Sequence, residues 1–225
     1  MSTEYDKAPD ITGDDVSPSD QARRYELATL SFRLPDTEQA IAGIRPWVES
    51  ADAAGTLMGA WRSEHGVLGR AHVLRAFVDS AEVAVERDRA RRSGRAFGAG
   101  PHLTDLSMTT YAPFPFMPAI RPGHYGTVYE TRDYHLIPGG LPPSIDGWRQ
   151  VLPGRHEVDP IAVVMYAIDG PDRIIQIWPF DSMDERLAIR AGLVADGMWP
   201  PPGGPEHIKE ATSEMWIPLD FSPLN

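Results

Sequence analysis

The segment YETRDYHLIPG (residues 129–139) has a counterpart in YELATLSFRLP, which begins at Tyr25. Both segments place a glutamate second in a strand-like run, at Glu26 and Glu130. A carboxylate in a half-buried strand costs free energy unless it has partners. The repeated glutamate therefore indicates either a structural ion pair that recurs in both halves or the floor of a ligand site.

The order of predicted elements repeats as well, because alternating aromatic runs predict strands and capping residues before periodic apolar positions predict helices. In the first half we predict strands at 25–33, 57–63, 71–78 and 105–111, and helices after Asp36 and at 80–97. In the second half we predict strands at 127–137, 161–168, 173–180 and 212–217, and helices at 144–152 and 182–195. Both halves follow the order β-α-β-β-α-β.

Helix ends are predicted from capping boxes and from one proline. Asp36 with Gln39, and Ser182 with Glu185, have the spacing of a capping box. Pro46 predicts a kink or a break in the first helix.

A β-α-β-β-α-β unit is ferredoxin-like, with both helices on one face of a four-stranded sheet. The bare face would be too large an apolar patch for a soluble monomer. Two such units packed sheet to sheet would bury both faces in one α+β barrel with four helices outside. We expect a disordered acidic tail at 1–22, repeats at 23–111 and 125–219, and a proline-rich linker at 112–124.

Composition limits the possible partners. The net charge of −11 argues against nucleic acid, and the lack of cysteine excludes a disulfide framework and thiolate chemistry. The sequence has no apolar run long enough to span a membrane and no signal-peptide core near its start. We expect a cytoplasmic protein that binds a small molecule, not nucleic acid or membrane.

Three motifs resemble the NIPSNAP family. YETRDYHLIPG resembles the opening strand of the NIPSNAP domain, GAWRSEHG (residues 59–66) resembles its G-x-W-x-[ST]-E-x-G, and IWPFDSMDER (residues 177–186) resembles its strand-to-helix junction. The resemblance extends over residues 23–217 as two NIPSNAP-like domains in tandem. It implies an intramolecular dimeric α/β-barrel, two ferredoxin-like repeats packed face to face.

The same resemblance sets expectations about activity. The superfamily includes cofactor-free monooxygenases, polyketide cyclases, lactone isomerases and haem enzymes, whereas NIPSNAP itself has no established reaction. It implies association into a homodimer. We expect no cofactor, since the sequence offers no convincing axial ligand for haem, and no metal, since the histidines lack metal-ligand spacing.

The two halves depart from the motifs in different places. Ala28 and Leu30 replace the arginine and tyrosine of the opening strand, and the second half has no counterpart of Trp61, reading MYAI with Tyr166 in that strand. The family's histidine before the "LW" pair is Gln176 here. A division of labour between the copies and structural drift both explain this pattern.

Glu130, Arg132 and Tyr134 share one face of their strand, because side chains alternate along a strand. If this face looks into the barrel, Arg132 can bind a carboxylate or enolate and Tyr134 can donate beside it. The opposite face carries Thr131 and Asp133, and periodicity does not decide between the two. The structural alternative is a Glu–Arg pair across strands.

The remaining candidates are a histidine and a set of amide and aromatic residues. His72 is a candidate general base, as imidazole titrates near neutrality, although a strand histidine can equally be structural. Its register is open: alignment on Asp79 puts His72 on the face equivalent to that of Gln176, and a one-residue slip puts Arg75 there. The candidate substrate-binding residues are Glu26, Glu130, Trp61, Gln176, Trp178 and Tyr166.

Two functions follow from these residues. The first is a metal-free enzyme, of the monooxygenase, cyclase or isomerase type, that acts on a small aromatic or polyketide-like acid inside the barrel. The second is a non-catalytic ligand-binding or protein-interaction scaffold. A polar cavity favours the first, and an interior filled by Trp61, Trp178 and Phe180 favours the second.

Overall fold

The computed structural model describes residue 11 and residues 16–225. Within these residues the strands are β1 (Arg24–Phe32), β2 (Thr56–His65), β3 (Arg70–Phe77), β4 (Leu103–Pro113), β5 (Val128–Leu136), β6 (Val163–Ala167), β7 (Arg173–Phe180) and β8 (Ile208–Pro218). The α-helices are α1 (Pro18–Ala22), α2 (Thr37–Ala42), α3 (Ile44–Val48), α4 (Ser80–Arg92), α5 (Leu141–Val158) and α6 (Met183–Ala195).

The described strands close into a barrel in the order β1-β3-β2-β8-β5-β7-β6-β4, and every neighbouring pair is antiparallel. Each half contributes four adjacent strands in ferredoxin-like order, β4-β1-β3-β2 and β8-β5-β7-β6. The seams pair β2 with β8 and β4 with β6, so each edge strand of one half is covered by an edge strand of the other. The predicted α+β intramolecular barrel is confirmed.

One end of the barrel interior is packed solid. Segments after β4 and after β8 cross this end: the Tyr25 hydroxyl accepts a hydrogen bond from the Ile120 N–H at 3.1 Å, and the Tyr129 hydroxyl donates to the Asn225 carbonyl at 3.1 Å. Trp61 lies below them with its ring centroid 5.4 Å from that of Tyr129. The interior cavity described below lies toward the opposite end.

Several helix ends differ from the sequence expectation. The first helix breaks at Gly43, three residues before Pro46, where a Cβ would lie 2.3 Å from the carbonyl oxygen of Gly98. Asp36 makes no capping hydrogen bond, so that capping box is wrong, and α4 stops at Arg92. At Ser182 the predicted cap is confirmed, since its hydroxyl accepts from the Glu185 N–H at 3.1 Å.

The second-half helix α5 is longer than the predicted 144–152, because prolines are tolerated in its first turn and Pro153 is accommodated inside it. In the segment expected to be a solvated tail, Pro18–Ala22 is helical and Ile11 is buried. The rest of that expectation, at 1–10 and 12–15, lies outside the described residues. None of the helices in the described part of the chain combines the length and apolar composition that a membrane crossing requires.

Glu26 and Glu130 both lie on the outer face of the barrel, fully buried beneath the helices. Glu26 pairs with Arg75 of β3 at 2.6 Å and with Arg87 of α4 at 2.8 Å. Of the two alternatives that the sequence left open, the contacts of Glu26 are those of a structural ion pair.

Glu130 has a weak ion pair with Arg132 of its own strand, and its main partner comes from a helix. Arg132 approaches it only to 3.8 Å, whereas Arg186 of α6 binds both of its oxygens, at 2.6 and 3.1 Å, and the Ser213 hydroxyl donates to it at 2.5 Å. A strand pattern does not show which helical residue will lie above it, although Arg186 does end the motif at residues 177–186.

The two buried glutamates have different cationic partners because the residue opposite each of them on the neighbouring strand differs. Glu26 pairs across the sheet with Arg75, and Glu130 with Trp178. Arg75 and Trp178 are therefore equivalent, and the one-residue slip left open by the sequence is correct. Each half has one residue between its strand and its helix cap, Val78 before Asp79 and Asp181 before Ser182. Asp79 therefore corresponds to Ser182 and not to Asp181.

We expect Arg186→Met to lower the free energy of unfolding by about 3–5 kcal/mol, because it leaves the buried Glu130 carboxylate without its cation. Arg132→Met should cost far less, since Arg132 is at the limit of ion-pair distance. Urea denaturation of both variants measures the difference, with Arg92→Met on the exposed face of α4 as the control. Equal losses for Arg186→Met and Arg132→Met would contradict this assignment.

Candidate active site

The open end of the barrel interior holds a cavity of about 260 Å³, lined by residues from β1, β3, β4, β5, β7 and β8. Inward-facing side chains alternate with outward-facing ones, so the lining comes from every second residue of each strand. The polar groups that matter below are His72, Tyr111, Thr131, Asp133 and Arg173.

His72 lies on the cavity wall and is almost fully buried. Its ring is stacked on that of Trp216 with centroids 3.5 Å apart, and the Trp216 Nε1–H donates to Thr131 Oγ1 at 2.8 Å. Burial lowers the pKa of His72 to about 3, helped by the positive charges of Arg70 and Arg173. The imidazole is therefore neutral at physiological pH, and it is an effective proton acceptor only when a bound group raises this pKa.

Arg173, at the start of β7, contacts three polar side chains on the opposite wall of the cavity. Its Nη2 donates to Thr109 Oγ1 at 2.9 Å and to the Tyr111 hydroxyl, and its Nε lies 3.4 Å from Asp133 Oδ1. Burial raises the pKa of Tyr111, so the phenol keeps its proton and can donate it in a hydrogen bond. Burial also raises the pKa of Asp133, against the opposing effect of Arg173.

The cavity thus combines a neutral base with a fixed cation and a phenol donor. A guanidinium and a phenol can stabilise a developing oxyanion, while a neutral imidazole can take up the proton that leaves a carbon atom. Proton abstraction next to a carbonyl is the chemistry that these groups can perform together.

The structure separates the residues that the sequence singled out. His72 and Trp61 face the barrel interior. Six others lie on the outer face, beneath the helices: Glu26, Glu130, Arg132, Tyr134, Gln176 and Trp178. Tyr166 is also on the outer side, packed near Phe114 with ring centroids 6.4 Å apart.

The face of β5 that carries Arg132 and Tyr134 therefore does not enter the barrel. The alternative left open by the sequence, with Thr131 and Asp133 inside, is the observed one. Gln176 and Trp178 are not on the interior wall either: the Trp178 Nε1–H donates to Gln176 Oε1 at 3.1 Å, and the Arg155 guanidinium lies 3.6 Å from the Trp178 ring centroid.

Sequence reasoning missed Arg173, Tyr111 and Trp216. One signal was available: Arg173 follows the DGPD turn and is the only charged residue in the strand RIIQIWPF. The role of Tyr111 depends on pairing between β4 and its neighbours across the barrel, which no local pattern reveals. In the part of the chain that is described, no group of three or more His, Asp or Glu residues is placed to hold a metal ion.

The fold and the cavity define a dimeric α/β-barrel protein that carries both halves of the barrel in one chain. Residues 129–223 match the family model of NIPSNAP, so the second half of this chain is similar to a NIPSNAP domain. The first half shares the fold and the motif at residues 59–66 but lies outside the matched segment. A search of curated proteins finds no match.

Solved structures show the same architecture. An anthrone oxidase-like protein superposes with a TM-score of 0.62 at 12% identity, over 90% of this chain and 94% of that chain. A candidate monooxygenase from Lactobacillus acidophilus gives 0.55 at 12% identity, over 88% and 94%. A NIPSNAP family protein of unknown function from Agrobacterium tumefaciens is 27% identical, with 47% of this chain and 100% of that chain covered and a TM-score of 0.40.

The low pKa of His72 makes stability depend on pH in a defined direction. The unfolded chain binds this proton at a pKa of about 6.5 and the folded protein at about 3, so stability is lost as the pH falls through this range. Between about pH 7.5 and about pH 4.5, the wild type should lose about 2–3 kcal/mol more than His72→Gln.

Urea midpoints at the two pH values measure this difference, with His65→Gln as the control because His65 is an exposed histidine. Parallel acid losses in the wild type and in His72→Gln would show that the imidazole is not buried in its neutral form.

Proposed function

We propose that this protein is an enzyme that removes a proton from a carbon acid, a small aromatic or polyketide-like acid bound inside the barrel. The observation that carries the proposal is the convergence of neutral His72 with the Arg173–Tyr111 pair in one cavity. The protein's own side chains then supply both the base and the oxyanion site.

In the proposed step, a C–H bond next to a carbonyl breaks and the proton moves to an imidazole nitrogen of His72. The electron pair moves onto the carbonyl oxygen, where Arg173 and Tyr111 stabilise the enolate. Such an enolate is the common precursor for isomerisation, for cyclisation and for reaction with dioxygen, so one site accounts for the reaction classes expected above.

Binding of the ligand should increase the proton affinity of His72. The pKa of His72 is lowered partly by the charges of Arg70 and Arg173. A bound carboxylate offsets these charges and raises the pKa of His72 toward its ordinary value, which increases its proton affinity only when substrate is present.

The fold neighbours support the enzyme class without defining the reaction, since their identities to this chain are low. The scaffold alternative expected an interior filled by Trp61, Trp178 and Phe180. Only Trp61 contributes to the interior core, whereas Trp178 and Phe180 lie in the helix-covered layer, and the polar cavity remains. A homodimer remains a prediction, because both seams of the barrel are already closed within one chain.

Phenylpyruvate, an aromatic 2-oxo acid, tests the proposal by exchange of its C3 protons in D₂O, followed by mass spectrometry. The wild type should accelerate exchange, and His72→Gln should lower kcat by about 10²–10⁴-fold, the usual contribution of a general base. Arg173→Met should lower kcat and raise KM, since it removes both the oxyanion partner and a binding cation.

His65→Gln is the matched control and should exchange protons at the wild-type rate. Thermal melts of each variant exclude unfolding as the cause of a loss. A wild type that does not exceed the rate in buffer, or a folded His72→Gln with full activity, would overturn the proposal.

A further inference from the structure

A second cavity, of about 200 Å³, lies outside the barrel, between the outer face of β5 and helix α5. The loop at residues 199–205 covers it. Arg132 and Tyr134 line it, whereas Asp133 between them faces the barrel interior. One strand thus separates two cavities, and a ligand in this outer crevice touches none of the residues assigned to proton transfer.

The walls of the outer crevice are formed largely by aromatic rings and prolines. Trp148 and Trp199, both buried, meet edge to face with centroids 4.9 Å apart. The Arg155 guanidinium lies 4.0 Å from the Trp199 ring centroid and is itself held by Asp159 at 2.5 Å. The covering loop adds Pro200, Pro201 and Pro205. Such walls suit an aromatic or short aliphatic group.

Among the described residues, Arg132 is the only cation that lines this crevice. Its Nε and Nη1 are buried yet hydrogen-bond to no described residue. The nearest carboxylate, Glu130, is 3.8 Å from Nη1 and already accepts hydrogen bonds from Arg186 and Ser213. Unpaired buried N–H groups are costly, and a planar guanidinium matches a carboxylate in two parallel hydrogen bonds.

The charges around the outer crevice favour a single negative charge. Three arginines and two carboxylates lie in or against it: Arg132, Arg155, Arg186, Glu130 and Asp159. Asp159 neutralises Arg155, and Glu130 neutralises Arg186, so Arg132 remains. A monoanion restores neutrality, whereas a dianion would leave a buried excess charge.

We propose that this crevice is a second binding site, which takes a small hydrophobic monocarboxylate. The carboxylate binds Arg132, and the apolar group lies between Trp148, Trp199 and the prolines of the covering loop. The site is independent of proton transfer in the barrel interior, so it stands even if the protein has no enzymatic activity.

The probe is 4-(trifluoromethyl)benzoate, followed by ¹⁹F NMR and calorimetry with the full-length protein. The wild type should bind it saturably, and 4-(trifluoromethyl)benzamide, which has the same shape without the charge, should bind at least about tenfold more weakly, a difference of about 1.4 kcal/mol. Arg132→Met should weaken the benzoate by the same factor, and Arg132→Lys should retain part of the affinity.

Ile208→Trp fills the outer crevice from β8 while leaving Arg132 in place, so it should remove the crevice resonance, whatever the probe does inside the barrel. Arg173→Met, on the barrel side, should retain the crevice resonance. Three results overturn the proposal: no saturable binding to the wild type, loss of binding in Arg173→Met instead of Arg132→Met, or unchanged binding in folded Ile208→Trp.

Discussion

The pairing of edge strands between the two halves determines the rest of this structure. β2 pairs with β8 and β4 with β6, so neither ferredoxin-like sheet retains a free edge or a bare face. Closure of the barrel creates an enclosed interior that neither half has alone. Alternate residues of every strand then face either this interior or the outer, helix-covered side. The polar cavity around His72 and Arg173 contains residues of both halves and exists only because the seams are closed.

Closure also explains the repeated glutamate. Because the helices cover the outer face, Glu26 and Glu130 are removed from water at equivalent positions and each needs a cation. In the first half Arg75 and Arg87 supply it, whereas Trp178 occupies the equivalent strand position in the second half and α6 supplies Arg186. The glutamates are therefore structural in both halves.

Much of the architecture followed from local sequence signals: the internal repeat, the order of strands and helices, and the cap at Ser182. The sequence did not show which face of β5 points into the barrel, because both faces carry polar residues. Glu130 and Arg132 lie on the outer face, and Asp133 lies on the inner face. The partner of Glu130 and the contact between Arg173 and Tyr111 depend on packing between elements distant in sequence. The site residue His72 was identifiable from its residue type, but its neighbours were not.

A crystal structure with benzoylformate tests the central claim, that the chemistry of this protein faces the barrel interior. This 2-oxo acid resembles a carbon acid but has no C–H next to its ketone, so it can occupy the site without reacting. We expect electron density for it inside the barrel, with its oxygens on Arg173 and Tyr111 and its carbon skeleton facing His72. An interior that stays free of the ligand at saturating concentration, in a crystal that leaves the barrel end accessible, would show that the reaction does not take place there.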